Sequence, residues 1–232
     1  MAIISLKNVS KIYRTAAGNQ LAALDNVNLD IQEGEFVAVV GQSGSGKTTL
    51  LNVIGGLDQP TEGGVLVDGH DITSAPDGEL SRFRNKTIGF IFQSFHLQQL
   101  QTASANVMVP LLFADTSWSE ARKGAEERLA EVGLSDKINQ RANQLSAGQC
   151  QRVAIARAIV NKPKILLADE PTGNLDLHTG AEIINLLKKI NSERNTTLLI
   201  VTHDAEVASQ ARRIITIEGG KIISNAPRKG NP

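Results

Sequence analysis

Residues 41–48 form a glycine-rich loop that ends in a lysine and a threonine. The sequence Gly41-Gln-Ser-Gly-Ser-Gly-Lys-Thr48 fits the pattern G-x-x-x-x-G-K-[ST], whose chemistry suits phosphate groups. Glycines let the backbone turn around a phosphate and aim N–H groups at its oxygens, and a following helix adds its positive end. We therefore predict a phosphate site whose contacts come from Gly41, Gln42, Ser43, Gly44, Ser45, Gly46, Lys47, Thr48 and Thr49.

Lys47 and Thr48 supply the charged and metal-binding groups of this loop. We expect the Lys47 ammonium, on a solvent-facing loop, to reach the β- and γ-phosphates of a nucleotide. The Thr48 hydroxyl is expected to bind Mg²⁺. An ordinary flexible Gly/Ser loop is the alternative. The apolar run 36–40 before the loop and the helical pattern 50–54 after it favour the phosphate site.

Two carboxylates follow a second apolar run. Ile165-Leu-Leu-Ala168 predicts a buried strand, and Asp169 and Glu170 come directly after it. Because ligands of open parallel sheets bind outside the carboxyl ends of the strands, we expect Asp169 to hold Mg²⁺. Glu170 is expected to polarise the water that attacks the γ-phosphate. A solvated acidic turn before Pro171 is the alternative, and the loop at Gly41 favours nucleotide hydrolysis over it.

A third apolar run, Leu198-Leu-Ile-Val-Thr202, leads to His203. A lone histidine is more often structural or solvated than catalytic. The predicted edge of the sheet already carries Gly41 and Asp169, so we expect His203 to sense or orient the γ-phosphate there.

The composition limits what kind of protein holds these groups. The chain has 232 residues, 24 Lys+Arg, 24 Asp+Glu and 41% hydrophobic residues, which suits a folded α/β core and argues against disorder. The zero formal charge provides no bulk basic surface, so no nucleic-acid partner is expected. The apolar runs fall short of the roughly 18–20 residues that span a bilayer, and a secretion signal is not expected. A single cysteine fits a reducing compartment, which predicts a cytoplasmic protein.

Secondary-structure signals differ along the chain. The first and last thirds contain strand patterns, and Gly219-Gly220 is typical of a tight hairpin between residues 214–218 and 221–224. In the middle third, Ser117-Trp-Ser-Glu120 and Ser146-Ala-Gly-Gln149 are capping boxes that open helices. We therefore predict a helical subdomain at about residues 94–158, inserted in a core of about residues 1–93 and 159–232.

The segment Leu145-Ser-Ala-Gly-Gln149, followed by Gln151-Arg-Val-Ala-Ile-Ala-Arg157, resembles the signature segment of ABC-type ATPases. The phosphate loop, Gln93, the acidic pair, Gly173-Asn-Leu-Asp176 and His203 lie in the order typical of that family. The resemblance covers essentially the whole chain, residues 1–232, as a single ABC-type ATPase domain. It implies an α/β fold of the P-loop NTPase (RecA-like) type, with a parallel-sheet core, an antiparallel β subdomain and an inserted helical subdomain.

The resemblance also implies residue roles. Tyr13 would stack on the adenine of ATP. Gln93 would touch Mg²⁺ and the attacking water, and would relay the nucleotide state to a membrane partner. Asp176 would lie at a dimer seam. The signature residues Ser146, Gly148 and Gln149 would bind the nucleotide held by the other subunit, with Ser146 and Gly148 on its γ-phosphate.

Some residues depart from the family pattern. The first glycine of the signature is Ala147 here, which places a methyl group near a docking phosphate. Cys150 stands where a polar residue is frequent; at a positive helix end its thiolate would be favoured and could report closure, or it could be an inert filler. Gln99, Gln101 and Ala105 replace residues usual in the stretch that would face a membrane subunit.

The motifs are most similar to those of ATP-binding subunits of lipoprotein-release and macrolide-export transporters. The resemblance therefore implies an ATPase that dimerises around two ATP molecules at the inner face of the membrane. There it would power a separate permease that exports or extracts a lipophilic or peptide-like substrate. Two alternatives remain open: an ABC ATPase that drives a membrane protein in cell division or envelope mechanotransmission, and a soluble ABC ATPase linked to nucleic acid.

Overall fold

The computed structural model describes residues 2–14 and 19–227. By their contacts, these residues group into two units. The first contains the described residues of Met1–Leu80 and Thr197–Pro232, and the second contains Ser81–Thr196. The second unit is larger than the helical subdomain predicted at about residues 94–158, and that subdomain stays a prediction.

An antiparallel sheet lies in the first unit. Its strands are β1 (Ala2–Arg14), β2 (Gln20–Gln32), β4 (Glu62–Val67) and β5 (His70–Asp71), in the order β2-β1-β4-β5. Alternation of side chains explains β2: Val27, Leu29 and Ile31 are buried, and the polar residues between them are exposed. One face of this sheet therefore contributes to the core of the unit.

The first unit also holds a mixed set of strands. These are β3 (Phe36–Val40), β8 (Thr197–Thr202), β9 (Arg213–Glu218) and β10 (Lys221–Pro227), in the order β10-β9-β3-β8. β3 is parallel to β8 and β9, and its continuous apolar run is buried, as expected of an inner parallel strand. The helices α1 (Lys47–Ile54) and α7 (Ala205–Ser209) belong to this unit as well.

The second unit is mainly helical around two parallel strands, β6 (Ile88–Phe92) and β7 (Ile165–Asp169). Its helices are α3 (Ala103–Leu112), α4 (Trp118–Glu131), α5 (Ala147–Ile159) and α6 (Leu177–Arg194), and α2 (Asp77–Thr87) leads into it from the first unit. Apolar faces of α3, α4 and α5 pack together, with Val107, Ala125, Leu129 and Val153 fully buried.

The local predictions from sequence are confirmed. The three apolar runs are β3, β7 and β8, and the hairpin of β9 and β10 turns at Gly219 and Gly220, both with positive φ (52° and 77°). Ser117 and Ser146 are the N-caps of α4 and α5. Thus the strands that should carry the functional residues are present where the patterns placed them.

Candidate functional site

The phosphate loop joins β3 to α1 and leaves the N-terminus of α1 without a side-chain cap. Gly46 is the N-cap at φ 107°, a left-handed conformation that glycine adopts without strain, and its side-chain position is closed by the Ala23 carbonyl oxygen. The first N–H groups of a helix have no partners within that helix. A helix start without a side-chain cap therefore offers backbone donors to an anion.

Lys47 lies inside this loop, which corrects one expectation. It was expected on a solvent-facing loop, but its residue surface is only 8% exposed. Its Nζ donates hydrogen bonds to the Gly41 and Gln42 carbonyl oxygens, both at 2.8 Å. The loop wraps around the side chain because those two carbonyl oxygens accept from the ammonium. The backbone carbonyl oxygens of the loop therefore hold the Lys47 ammonium inside the loop, where a phosphate would also bind.

The donor set of the loop fits a triphosphate. Besides the ammonium of Lys47 and the start of α1, the loop contains the hydroxyl of Ser45, which is buried and has no hydrogen-bond partner among the described residues. Ammonium, N–H and hydroxyl donors suit phosphate oxygens. At Gly44, with φ 77°, a Cβ would meet nothing within 4 Å, so the loop is open on that side.

His203 lies at the same sheet edge as the phosphate loop. In the parallel pair of β3 and β8, Val40 is opposite Thr202, and Gly41 and His203 are the next residues of the two strands. The predicted proximity of His203 to the loop therefore follows from the register of these two strands. Its role in phosphate sensing stays a prediction.

Tyr13 lies near the end of β1 and is 37% exposed. Its hydroxyl donates to Asp58 Oδ2 at 2.7 Å, and Lys11 Nζ lies 5.0 Å from the centre of its ring. Burial, together with the hydrogen bond to Asp58, raises the pKa of the Tyr13 phenol. A half-exposed aromatic ring held at a fixed place is suited to stacking on a base.

In the second unit, β6 and β7 bring Gln93 and the acidic pair to one edge. Phe92 is opposite Asp169, and Gln93 and Glu170 follow them directly. Glu170 has a φ of 46°, the left-handed region that residues with a Cβ seldom adopt. A strained conformation held at a sheet edge is typical of functional residues.

The side chain of Gln93 is placed by the turn that follows Glu170. Asn174 Nδ2 donates to the Gln93 carbonyl oxygen at 2.9 Å, and Gln93 Nε2 donates to Asn174 Oδ1 at 3.4 Å. A Cβ at Gly173 would lie 2.6 Å from Gln93 Nε2, so a larger residue at position 173 would displace the Gln93 side chain. The turn 173–174 therefore fixes Gln93 next to the acidic pair.

The signature segment begins α5 with a reciprocal capping box. Ser146 Oγ accepts from the Gln149 N–H at 3.3 Å, and Gln149 Oε1 accepts from the Ser146 N–H at 2.9 Å. A Cβ at Gly148 would lie 2.5 Å from Thr179 Cγ2. Thr179 in turn donates to the Asp176 carboxylate through its N–H and its hydroxyl (3.0 and 2.6 Å), which lowers the pKa of Asp176. Gly148 and Asp176 thus share one neighbour, Thr179.

Cys150 is buried, which contradicts the expectation of a thiolate. Only 6% of the residue surface is exposed, and burial raises the pKa of its thiol. Its Sγ lies 3.5 Å from the Ala142 carbonyl oxygen. Burial outweighs the positive end of α5, so Cys150 behaves as a small core residue.

Two further properties bear on metal and membrane binding. Among the described residues, no three His, Cys, Asp or Glu side chains cluster as metal ligands. Mg²⁺ in nucleotide sites uses only one or two carboxylates beside phosphate oxygens and water, so a site of this kind needs no such cluster. Within residues 2–14 and 19–227, no helix is both long and apolar enough to cross a membrane.

The model of one protein family, described as ABC transporter, matches residues 24–173. The chain belongs to this family. Its fold is the α/β P-loop NTPase fold of ABC ATPase cassettes, and the protein is an ATPase. The predicted membership, fold class and activity are thus confirmed.

Relatives and solved structures of this ABC ATPase agree over nearly its full length. The ABC transporter ATP-binding protein MJ0796 of Methanocaldococcus jannaschii is 50% identical, with 98% of each chain covered. A dimeric structure of MJ0796 in a post-hydrolysis state, bound to ADP and Pi, matches with a TM-score of 0.90 at 48% identity and covers 98% of this chain and 99% of that chain. The macrolide export ATP-binding/permease protein MacB of Hyphomonas neptunium is 44% identical over 98% of this chain. This chain spans only 35% of that relative's length.

Sequence reasoning missed several residues that support the site of this ABC ATPase. Thr179 follows Asp176 by three residues, the spacing between an N-cap and the N–H group that it accepts from, and this spacing is the signal that was available. Asn174 lies in the segment 173–176, but its partner Gln93 is 81 residues away, so no local signal indicates their contact. Gln151 is fully buried, and its Nε2 donates to the Pro171 carbonyl oxygen at 2.6 Å. The sequence pattern does not predict that a glutamine of the signature segment is buried against the residue that follows the acidic pair. Asp58 was missed because its partner Tyr13 is 45 residues away.

Proposed function

We propose that this ABC ATPase binds MgATP at the loop 41–48 and hydrolyses it. The observation that carries this assignment is the N-terminus of α1, which has no side-chain cap and begins at the buried Lys47. The loop presents hydrogen-bond donors from backbone, ammonium and hydroxyl at one place. Lys47 would exchange its two carbonyl partners for phosphate oxygens. Tyr13 would stack on the adenine, and Gln42, Ser43, Ser45 and Thr49 would complete the phosphate contacts.

Hydrolysis is assigned to residues at the carboxyl ends of the parallel strands. Glu170 accepts a proton from the attacking water, and His203 orients the γ-phosphate. Thr48, Gln93 and Asp169 would hold Mg²⁺, which supplies positive charge to the phosphates during the reaction. In support, Gly41 and His203 directly follow paired residues of β3 and β8 in one unit, and Gln93 and Glu170 directly follow paired residues of β6 and β7 in the other.

A second copy of the chain is the proposed partner in hydrolysis. Ser146 and Gly148 of one copy would contact the γ-phosphate bound by the other, and Asp176 would lie at the seam. The hydroxyl of Ser146 accepts from Gln149, which leaves its own proton available for a phosphate oxygen. The dimeric relative bound to ADP and Pi supports this arrangement.

We further propose that the dimer drives an integral-membrane permease at the cytoplasmic face of the membrane, for export or extraction of a lipophilic or peptide-like substrate. The 44% identity to the ATPase part of a macrolide export ATP-binding/permease protein supports export. ATP binding and hydrolysis would bias closure and opening of the dimer, and the permease would respond to that motion.

Reconstitution tests the proposed coupling. A membrane protein encoded beside this ABC ATPase is purified with it in nanodiscs and in vesicles, and ATPase rate and substrate release from the membrane are measured together. Wild-type protein should hydrolyse ATP faster with the permease and release a lipophilic or peptide-like substrate, and the Glu170→Gln variant should do neither. ATP-dependent stimulation of an envelope hydrolase, without substrate movement, would instead support mechanotransmission.

A further inference from the structure

Tyr13 is the centre of a small polar cluster in the first unit that the proposed function does not explain. Asp58 accepts from the Tyr13 hydroxyl at one carboxylate oxygen (2.7 Å) and from Lys11 Nζ at the other (2.5 Å). Lys11 Nζ also donates to the Gln59 carbonyl oxygen at 2.8 Å. The Lys11 and Asp58 side chains are 14% and 27% exposed, so the pair is partly shielded from water.

The cluster is attached to the helix that begins at the phosphate loop. The N–H groups of Leu57 and Asp58 donate to the Asn52 carbonyl oxygen of α1, at 2.9 and 3.2 Å. Thr49, also in α1, lies close enough to the Tyr13 phenol to lower its pKa, against the larger effects of burial and Asp58. One short helix therefore connects the place where phosphates would bind to the ring where a base would stack.

We propose that Asp58 and Lys11 are positioning residues that hold the Tyr13 ring in place before nucleotide binds, and so set the preference for a nucleotide over a base-free triphosphate. This inference rests on the proposed stacking of adenine on Tyr13. The Lys11 ammonium lies over one face of the ring, so a base would have to stack on the opposite face. A ring fixed in advance loses less side-chain entropy on binding than a free tyrosine would.

Binding of two ligands separates this role from general stabilisation of the fold. Dissociation constants for MgATP and for magnesium tripolyphosphate are measured by calorimetry on the full chain. Asp58→Asn and Tyr13→Phe should each weaken ATP binding on the order of tenfold, since hydrogen bonds to charged groups contribute about 1.5–3 kcal/mol. Binding of tripolyphosphate should stay at the wild-type value. Equal loss for both ligands would overturn the proposal, because it would indicate damage to the phosphate loop.

Asp71→Asn is the matched control variant. Asp71 is an exposed aspartate of the same unit, and it likewise accepts a local hydrogen bond, from the Thr73 N–H at 2.9 Å. Loss of the Asp71 carboxylate should leave the ratio of the dissociation constants for MgATP and magnesium tripolyphosphate unchanged. The double variant Tyr13→Phe with Asp58→Asn should bind ATP as weakly as each single variant does, because both substitutions remove the same hydrogen bond. Additive losses of ATP affinity would contradict the proposal.

A spectroscopic titration provides a readout that does not depend on nucleotide. Tyr13 is the single tyrosine of the chain, so the tyrosinate absorption reports it alone. Asp58→Asn should move its pKa down toward the ordinary phenol value, and an unchanged titration would show that the contact is not formed in solution.

Tyr13→Ala distinguishes failure of this inference from failure of the proposed function. It should weaken ATP binding by roughly 5–150-fold, because stacking of a base on an aromatic ring contributes about 1–3 kcal/mol. If Tyr13→Ala leaves ATP binding unchanged, the adenine role of Tyr13 and the positioning role both fail. If it weakens ATP binding but Asp58→Asn and Tyr13→Phe do not, only the positioning role fails.

Discussion

The N-termini of α1 and α5 are both assigned to phosphate, yet the chain treats them differently. At α1 the N-cap is a left-handed glycine with no side-chain cap, and a buried lysine donates to the loop carbonyl oxygens behind it. At α5 the N-cap is Ser146 in an extended conformation, closed by a reciprocal hydrogen bond with Gln149. The N-terminus of α1 therefore has no side-chain acceptor at its N-cap, whereas the N-terminus of α5 is capped by hydrogen bonds within a single copy.

This difference fits a nucleotide site that is shared between two copies. We propose that a single copy binds ATP at α1, where the N-cap provides no side-chain cap. The start of α5 is stable without nucleotide and keeps one hydroxyl proton for a phosphate brought by a partner. Substitutions at α1 should therefore affect binding by one copy, and substitutions at α5 should affect the step that needs two.

Lys47→Ala should have the largest effect on ATP binding. Removal of the ammonium should abolish tight ATP binding and lower turnover by about 10²–10³-fold or more, as loss of a central electrostatic donor does. The Gly41 and Gln42 carbonyl oxygens also lose their donor, which should cost about 1–3 kcal/mol of stability. ATP titration and thermal unfolding measure the two effects. Lys221→Ala, an exposed lysine of the same unit, is the control, and wild-type ATP affinity in Lys47→Ala would contradict the assignment.

Ser146→Ala should have the next largest effect, and Ser117→Ala is its matched control. Both serines are N-caps whose hydroxyl accepts a backbone N–H, so each substitution should cost about 1 kcal/mol of unfolding free energy. Only Ser146→Ala should also lower the ATPase rate, by roughly tenfold or more, because it removes a donor to charged phosphate. Equal ATPase rates in the two variants would remove Ser146 from the nucleotide site.

Ala147→Gly should act in the opposite direction. The methyl group of Ala147 lies in the first turn of α5, where a phosphate would dock in the proposed shared site. Its removal should tighten ATP-dependent dimerisation by up to about tenfold, since an extra methyl in a tight contact costs about 1–3 kcal/mol. The unfolding free energy should fall by no more than about 1 kcal/mol. Sedimentation equilibrium measures dimerisation, and unchanged dimerisation would show that the methyl does not meet the phosphate.

Cys150 should show the smallest effect. Because burial raises the pKa of its thiol, the thiol stays protonated at neutral pH, and thiolate-dependent labelling should be slow. The labelling rate should rise only as the pH approaches the raised pKa, whereas a thiolate activated by a helix end would already be labelled near its maximum rate at pH 7. Labelling that is fast at pH 7 in the native protein would show that the start of α5 opens readily in a single copy.

The sequence patterns predicted the strands and several helix starts because those depend on local side chains. The runs at 36–40, 165–168 and 198–201 are apolar throughout, and short apolar runs bounded by turn residues are typical of buried parallel strands. Ser146 and Gln149 make their capping box within four residues. The site was predicted in the same way where a motif follows a strand, as at Gly41 and Glu170.

Contacts between distant residues could not be predicted. The burial of Lys47 depends on how the whole loop wraps around it, and neither its neighbours nor its residue type specifies that. Asp58 meets Tyr13 only because β1 and the end of α1 are packed in the same unit. Cys150 was expected at a charged helix end, but packing of α5 against its surroundings decides its environment.

The shared nucleotide site is tested most directly by the mass of the Glu170→Gln variant in solution with ATP. Removal of the general base should lower turnover by about 10²–10⁴-fold while the phosphate loop still binds MgATP, so ATP stays bound. Size-exclusion chromatography with light scattering should then show a monomer without nucleotide and a stable dimer with ATP. The same variant combined with Ser146→Ala should dimerise less. A Glu170→Gln protein that binds ATP in a titration and remains wholly monomeric at high protein concentration and low salt would contradict the shared site.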